Sequence, residues 1–232
     1  MSEAKAGGDY DRWLSGRSFS RQLYAFYASL PGMLLVNTPV FRLDRMLRLQ
    51  PRQRVLDIAC GRGSLLQVLA SRVPFEAPPV GIDLSGEMLK LARRDLQKPS
   101  HAVSLAHATS TRLPFADGSF DIVTCAYMAK HVADTDLLRF LIETRRVLTE
   151  RGIAVIWDFA PVSSERLNRL NRWLLTRGTS ECYLRDYTQL QAFALGAGFE
   201  WVGNASLWPF FWPLIPRISL ILGKTDPSFI NH

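Results

Sequence analysis

Hydrophobic and polar positions follow two alternating patterns along most of the chain. From Arg54 onward, short apolar runs alternate with stretches in which apolar residues recur every three or four positions. The first pattern is typical of buried strands and the second of amphipathic helices. The predicted strands are 55–58, 80–83, 102–106, 122–126, 153–159, 199–206 and 218–223. The predicted helices are 64–71, 85–96, 134–148, 163–177 and 186–197.

This alternation predicts an α/β fold. Parallel strands need a helical crossover, so we expect a doubly wound, mostly parallel sheet with helices on both faces. Two amphipathic helices precede the first strand. One has its apolar positions between 19 and 30, and the other begins at Thr38 and Pro39, a hydroxyl cap followed by proline. We therefore expect an N-terminal helical cap or lid over 1–50 and a core over 51–232, with 161–185 as a helical insertion.

Composition and charge narrow the class of protein. The 232 residues suit one domain with a cap, and 47% hydrophobic with 21% charged residues exclude a disordered or fibrous chain. The net charge of +7 comes mostly from 1–54, whereas 55–160 are balanced. Nucleic-acid binders usually collect positive charge in a patch or stripe, so no nucleic-acid partner is expected.

The cysteines and the N-terminal sequence indicate the cellular compartment of the protein. The three cysteines, Cys60, Cys125 and Cys182, form no CxxC pair and have no histidine cluster beside them. This spacing excludes a zinc ribbon or a disulfide scaffold, and no metal site is expected. The polar start of the chain lacks an apolar signal core. We expect a cytoplasmic protein.

Candidate chemistry follows the first two strands. In an open parallel sheet, ligands bind beyond the carboxyl ends of the strands. The first strand runs into small residues before a helix, and the second ends at Asp83, whose carboxylate could accept hydrogen bonds from ribose hydroxyls. A dinucleotide fingerprint would need a third glycine where Leu66 stands, and no P-loop lysine follows. The pattern favours a nucleoside ligand without a pyrophosphate.

The motifs at these strand ends resemble the class I S-adenosyl-L-methionine-dependent methyltransferases, in particular the group acting on small molecules and lipids. VLDIACGRGSLL resembles the family's first motif, GIDLSGEML its second, and LPFADGSFDIV the loop into the fourth strand. RRVL followed by Gly152 resembles the approach to the fifth. The resemblance covers 51–160 and extends more weakly to the end of the chain. It implies a Rossmann-like, seven-stranded sheet whose last strand, RISLILGK, is antiparallel.

The resemblance also implies a cofactor, S-adenosyl-L-methionine. Asp57 and the loop carrying Ala59, Gly61 and Gly63 would hold its methionine part, and Asp83 its ribose. Ala59 stands where the family has its first loop glycine. An alanine is tolerated at this position if its φ is negative.

The adenine end of the cofactor would lie against the next elements. Leu84 and Met88 would pack near the ring, beside Thr109 and Ser110. The family usually has an acid where Thr109 stands. A threonine hydroxyl can accept the same hydrogen bond from the adenine amino group, and it can equally cap a turn.

Methyl transfer depends mostly on holding the acceptor in line, which contributes about 7–11 kcal/mol. A general base is needed only for a weakly acidic hydroxyl or carbon acid. The candidates are Tyr127, Lys130 and His131 after the fourth strand and Asp158 after the fifth. A histidine here can equally begin a helix, and a strand-end acid can equally cap the next segment.

Aromatic and aliphatic residues in 1–50, 161–185 and 208–212 favour a small hydrophobic or aromatic acceptor, such as a quinone precursor, a lipid or a secondary metabolite. The basic N-terminal segment could also rest on an anionic membrane surface. Two alternatives remain open. Ala59 and Thr109 suit a non-catalytic cofactor-binding scaffold, and the charge of +7 suits an RNA or protein methyltransferase.

Overall fold

The computed structural model describes residues 41–96, 102–175, 181–205 and 216–226. Its strands are β1 Val55–Ile58, β2 Val80–Asp83, β3 Ser104–His107, β4 Phe120–Ala126, β5 Leu148–Phe159, β6 Trp201–Asn204 and β7 Arg217–Gly223. Its helices are α1 Leu43–Met46, α2 Ser64–Arg72, α3 Gly86–Asp95, α4 Asp134–Val147, α5 Glu165–Leu175 and α6 Tyr187–Gly196. A short 3-10 helix spans Ala129–His131.

The strands form one seven-stranded sheet in the order β3-β2-β1-β4-β5-β7-β6. The pairs among β1 to β5 are parallel, and β7 is antiparallel to both β5 and β6. The predicted fold class is therefore confirmed, including the antiparallel last strand. The order reverses between β1 and β4, which is where an open α/β sheet offers a crevice for a ligand.

Both faces of the sheet are buried, which explains the continuous apolar runs of its strands. Leu56 and Ile58 of β1 pack into one core with α4 and α6. Val55 packs into the opposite core with α1 and α2. Since successive side chains of a strand point to opposite faces, every position of a central strand is filled from one side or the other.

The predicted strand limits are wrong at four strands. β4 begins at Phe120 and not at 122. β5 begins at Leu148 and not at 153, because Phe120 pairs with Leu148 whereas Ile122 pairs with Ile153. The register of the ladder therefore shifts between these two pairs, which is an irregularity within β4 and β5. β3 is Ser104–His107 because it pairs residue by residue with Val80–Asp83, and β6 contains only the four residues that pair with β7.

Of the predicted cap, residues 1–40 lie outside the described residues. The part that is described packs onto the core: Leu43 and Leu47 are buried, and Asp44 forms a 3.0 Å ion pair with Arg72 of α2. Among the described helices, none combines the length and the apolar character needed to cross a bilayer.

Candidate cofactor and acceptor site

The loop after β1 leaves the strand through left-handed backbone conformations. The φ angles of Ala59, Gly61 and Gly63 are 58°, 53° and 73°. A side chain added at Gly61 would meet nothing within 4 Å, so there is open space beside the loop. A Cβ atom added at Gly63 would lie 2.8 Å from Leu96 Cδ1. The absence of a side chain at Gly63 therefore lets the loop pack closely against the end of α3.

Ala59 does not meet the condition of a negative φ, since its φ is 58°. The Cys60 N–H donates to Ile82 O at 2.9 Å and the Gly63 N–H donates to Cys60 O at 2.8 Å. These two bonds form a turn immediately after the strand and require Ala59 to be left-handed, a conformation that costs an L-residue about 1–2 kcal/mol.

Replacing Ala59 with glycine should therefore stabilise the protein by up to about 1 kcal/mol, after the greater backbone entropy of glycine is subtracted. Thermal unfolding measures the change. Ala126→Gly is the matched control, because Ala126 ends the neighbouring strand β4 without a positive φ. That variant should lose stability, and a loss at both positions would show that Ala59 is not strained.

Asp83 joins the ends of β1 and β2. Its Oδ2 accepts from the Gly61 N–H at 2.8 Å, and its Oδ1 accepts from the Ser85 N–H at 2.8 Å. Ser85 in turn caps α3 by accepting from the Met88 N–H at 3.0 Å. A half-buried carboxylate is thus held between the glycine loop and the start of a helix.

Asp57 is a buried acid beneath the same loop. Thr124 Oγ1 donates to its Oδ1 at 2.7 Å. Burial, and to a smaller extent the nearby Asp83, raise the pKa of Asp57 to about 7 against the opposing effect of the Thr124 hydrogen bond. Near neutral pH this carboxyl is therefore only partly ionised.

The raised pKa predicts that Asp57 destabilises the fold at higher pH. The unfolded chain ionises this group near its ordinary pKa of 3.8, whereas the folded protein does so only near pH 7, so stability is lost as the pH rises between the two. Near pH 3.8, the stability of Asp57→Asn should match that of the wild type. Above pH 7 the variant should be more stable by up to about 4 kcal/mol. Urea unfolding across this range measures the difference, and parallel pH curves would contradict the prediction.

The proposed adenine contacts lie next along the chain. Met88 is buried and Leu84 half-buried, and His107 Nε2 donates to Leu84 O at 2.8 Å. Thr109 Oγ1 lies 2.9 Å from Thr111 Oγ1 and accepts from the Thr111 N–H at 3.3 Å. The Thr109 hydroxyl therefore closes a turn, while its contact with adenine stays a prediction. Ser110 beside it is buried.

A second group of polar residues lies at the ends of β4 and β5. Asp158 Oδ2 accepts from the Lys130 N–H at 2.8 Å, and its Oδ1 accepts from the Phe159 N–H at 2.7 Å. Lys130 Nζ lies 3.4 Å from Asp158 Oδ1, and the two side chains are only 6% and 3% exposed. Lys130 Nζ also donates to Tyr127 O. This arrangement fixes the segment after β4 onto β5.

Tyr127 forms an aromatic wall at this edge of the sheet. Its ring stacks on Phe159 with centroids 4.8 Å apart, and its Oη accepts from Arg217 Nε at 3.0 Å. The Arg217 guanidinium also lies 5.0 Å from the Phe159 ring and Lys130 Nζ 5.5 Å from it. Burial raises the pKa of Tyr127 above its ordinary value, although Arg217 opposes this. The phenol is thus protonated at neutral pH and poorly suited to act as a base.

Residues 181–186 form a strap across the segment that carries His131. Burial and the charge of Lys130 hold the pKa of His131 well below its usual range, so its imidazole is neutral. Arg185 donates to Ala129 O and Val132 O, both at 2.8 Å, and forms a 2.7 Å ion pair with Asp134. The strap therefore positions the segment that carries His131.

The sequence did not predict three residues of this region, namely Phe159, Arg185 and Arg217. Arg217 contacts a residue 90 positions away, and Arg185 contacts carbonyl groups more than 50 positions away. Their residue types carry no local signal. Only their places beside a predicted strand and a predicted helix could have pointed to them.

The doubly wound sheet, the left-handed glycine loop and the acid ending β2 have the arrangement that the motif resemblance implies. Residues 55–152 match the sequence family described as "Methyltransferase domain". This match supports the resemblance of the chain's motifs to the class I S-adenosyl-L-methionine-dependent methyltransferases.

Similar proteins sharpen this placement. The chain is 35% identical over 128 residues to a 2-phytyl-1,4-naphtoquinone methyltransferase of Trichormus variabilis, which covers 54% of this chain and 55% of the relative. It is 38% identical over 119 residues to a demethylmenaquinone methyltransferase of Thermus thermophilus, covering 51% and 52%. The chain spans about half the length of these relatives. The crystal structure of a Pyrococcus horikoshii protein shares the fold, with a TM-score of 0.67 at 19% identity, covering 90% of this chain and 99% of that one.

Proposed function

We propose that this protein transfers a methyl group from S-adenosyl-L-methionine to a small quinone-type acceptor. The observation that carries the proposal is the junction of the two strand ends, where the Asp83 carboxylate holds the Gly61 amide next to open space. A ribose hydroxyl pair suits a strand-end carboxylate, and a loop without side chains lets a ligand approach the backbone.

The residues present fit this cofactor. Asp83 would bind the ribose, Asp57 would face the ammonium of the methionine part, and Leu84 and Met88 would pack on the adenine. The partial ionisation of Asp57 suits this role, because a neighbouring cation favours the charged form of a carboxyl group. When bound, the cofactor supplies an activated methyl group, so the protein has mainly to position the acceptor.

The acceptor would lie at the ends of β4 and β5. Tyr127 and Phe159 offer stacked aromatic rings on which a flat ring can pack. Lys130 is neutralised by Asp158, and Arg217 adds a second cation at the same edge. Attack from a ring carbon of a reduced quinone needs the ionised form of its hydroxyl group, and a nearby fixed cation favours that ionised form.

The roles of the three candidate catalytic residues differ in this proposal. Tyr127 forms part of the wall and Asp158 positions Lys130 and the segment after β4. Neutral His131 can accept a proton, although its low pKa makes it a weak base. The two relatives are named for methylation of 2-phytyl-1,4-naphtoquinone and of demethylmenaquinone, which supports a quinone-type acceptor for this chain as well.

An untargeted metabolite comparison tests the proposal. A lysate is incubated with methyl-labelled S-adenosyl-L-methionine, with and without the purified protein, and analysed by mass spectrometry. We expect label in a lipid-soluble aromatic product. Label in RNA or protein, or no protein-dependent label at all, would overturn it, and the last result would favour a cofactor-binding scaffold.

A further inference from the structure

Helix α5 exposes a cluster of large apolar side chains. Leu167, Leu170 and Trp173 are 52%, 49% and 55% exposed. They are three of the five large apolar residues that stand exposed in the described part of the chain; the other two, Ile142 and Leu195, lie singly on α4 and α6. Single exposed apolar residues are ordinary, whereas a cluster on one helix indicates a binding surface.

One face of α5 is bonded to the segment that precedes the helix. Asn168 is buried, and its side chain makes two 2.8 Å hydrogen bonds with the backbone of Val162. At 3.6 residues per turn, Leu170 and Trp173 project away from Asn168, and Leu167 lies between Leu170 and Asn168 around the helix, so the three form one strip. The apolar strip is therefore a surface feature of a helix whose Asn168 side is buried.

The charge of the same helix indicates what the strip binds. α5 carries Arg166, Arg169 and Arg172 against one acid, Glu165, which pairs with Arg172. A helix with arginines beside leucine and tryptophan, and little overall hydrophobicity, is typical of segments that lie in the interface of a bilayer. A strip of three side chains is too small for a stable protein interface.

We propose that α5 docks this protein on the surface of an anionic bilayer, with Leu167, Leu170 and Trp173 inserted at headgroup depth and Arg166 and Arg169 facing anionic lipid. The helix follows β5 directly, so docking places the edge of the sheet with Tyr127 and Asp158 near the membrane. This consequence rests on the proposed function, since a lipid-soluble quinone would enter from that side, but the docking itself does not.

Vesicle flotation tests the proposal on the full chain. The protein should float with phosphatidylcholine vesicles containing phosphatidylglycerol and not with phosphatidylcholine alone, and high salt should release it. Arg166→Gln/Arg169→Gln should reduce the partition coefficient about 25-fold, at roughly five-fold per arginine. Leu167→Ser/Leu170→Ser should reduce it by about ten-fold or more.

The matched control is Ile142→Ser/Leu195→Ser, which removes two exposed apolar residues from other helices and should float like the wild type. Calorimetry with S-adenosyl-L-methionine is run on every variant, so that a lost cofactor site is distinguished from lost docking. Equal flotation of the α5 and control variants would overturn the proposal. Failure of the wild-type protein to float would also overturn the proposal. This includes the case in which sedimentation shows that α5 instead joins two copies of the chain.

Discussion

Replacing Asp83 with alanine should weaken the binding of S-adenosyl-L-methionine about ten- to a hundred-fold. A hydrogen bond to a charged acceptor contributes about 1.5–3 kcal/mol, and this variant removes the carboxylate proposed to bind the ribose. It also removes the acceptor of the Gly61 and Ser85 amides, which loosens the loop that would approach the cofactor. Isothermal titration calorimetry with the cofactor and with its demethylated product measures the loss.

Two further variants separate charge from loop geometry. Asp83→Asn keeps an oxygen that can accept from an amide but loses the charge, so its affinity should fall between those of the wild type and Asp83→Ala. Asp121→Ala is the matched control, because Asp121 also accepts from a backbone amide, that of Arg54, at the start of β4. Unchanged affinity in Asp83→Ala would mean that the ribose is not held there.

Replacing Lys130 with methionine should destabilise the fold by about 3–5 kcal/mol, because it leaves the buried Asp158 carboxylate without its cation. In a domain of this size the unfolding midpoint should fall by about 6–20 °C. Thermal and urea unfolding measure the effect.

The double variant Lys130→Met/Asp158→Asn should recover most of this loss, since the asparagine oxygen can still accept a backbone N–H and no charge remains buried. Arg139→Met breaks an exposed ion pair with Asp136 at 3.4 Å and should change stability by less than about 0.5 kcal/mol. A Lys130→Met protein as stable as Arg139→Met would show that the buried pair does not hold the two strand ends together.

The sheet and the cofactor loop could be predicted because both depend on local signals. Val55–Ile58 and Val80–Asp83 are apolar at nearly every position because both faces of the sheet are buried. The acid at the end of β2 and the glycines after β1 have fixed places relative to their strands. Their positions in the fold therefore follow from the strands themselves.

Other features depend on contacts that the sequence pattern does not contain. The left-handed φ of Ala59 follows from hydrogen bonds to β2, and the early start of β5 follows from its pairing with Phe120. The stacking of Tyr127 on Phe159 and its bond from Arg217 join three separate elements. Hydrophobic periodicity describes burial, so it could not place these polar and aromatic partners.

The most direct measurement of the proposed function is methyl transfer by the purified protein. It is mixed with methyl-labelled S-adenosyl-L-methionine and demethylmenaquinone in reduced form, and the products are separated by liquid chromatography with mass spectrometry. We predict one labelled methyl group on a ring carbon for each molecule of S-adenosylhomocysteine formed. At a cofactor concentration near the wild-type Kd, Asp83→Ala should form much less of both products. Tight cofactor binding without any labelled quinone would contradict the proposed function.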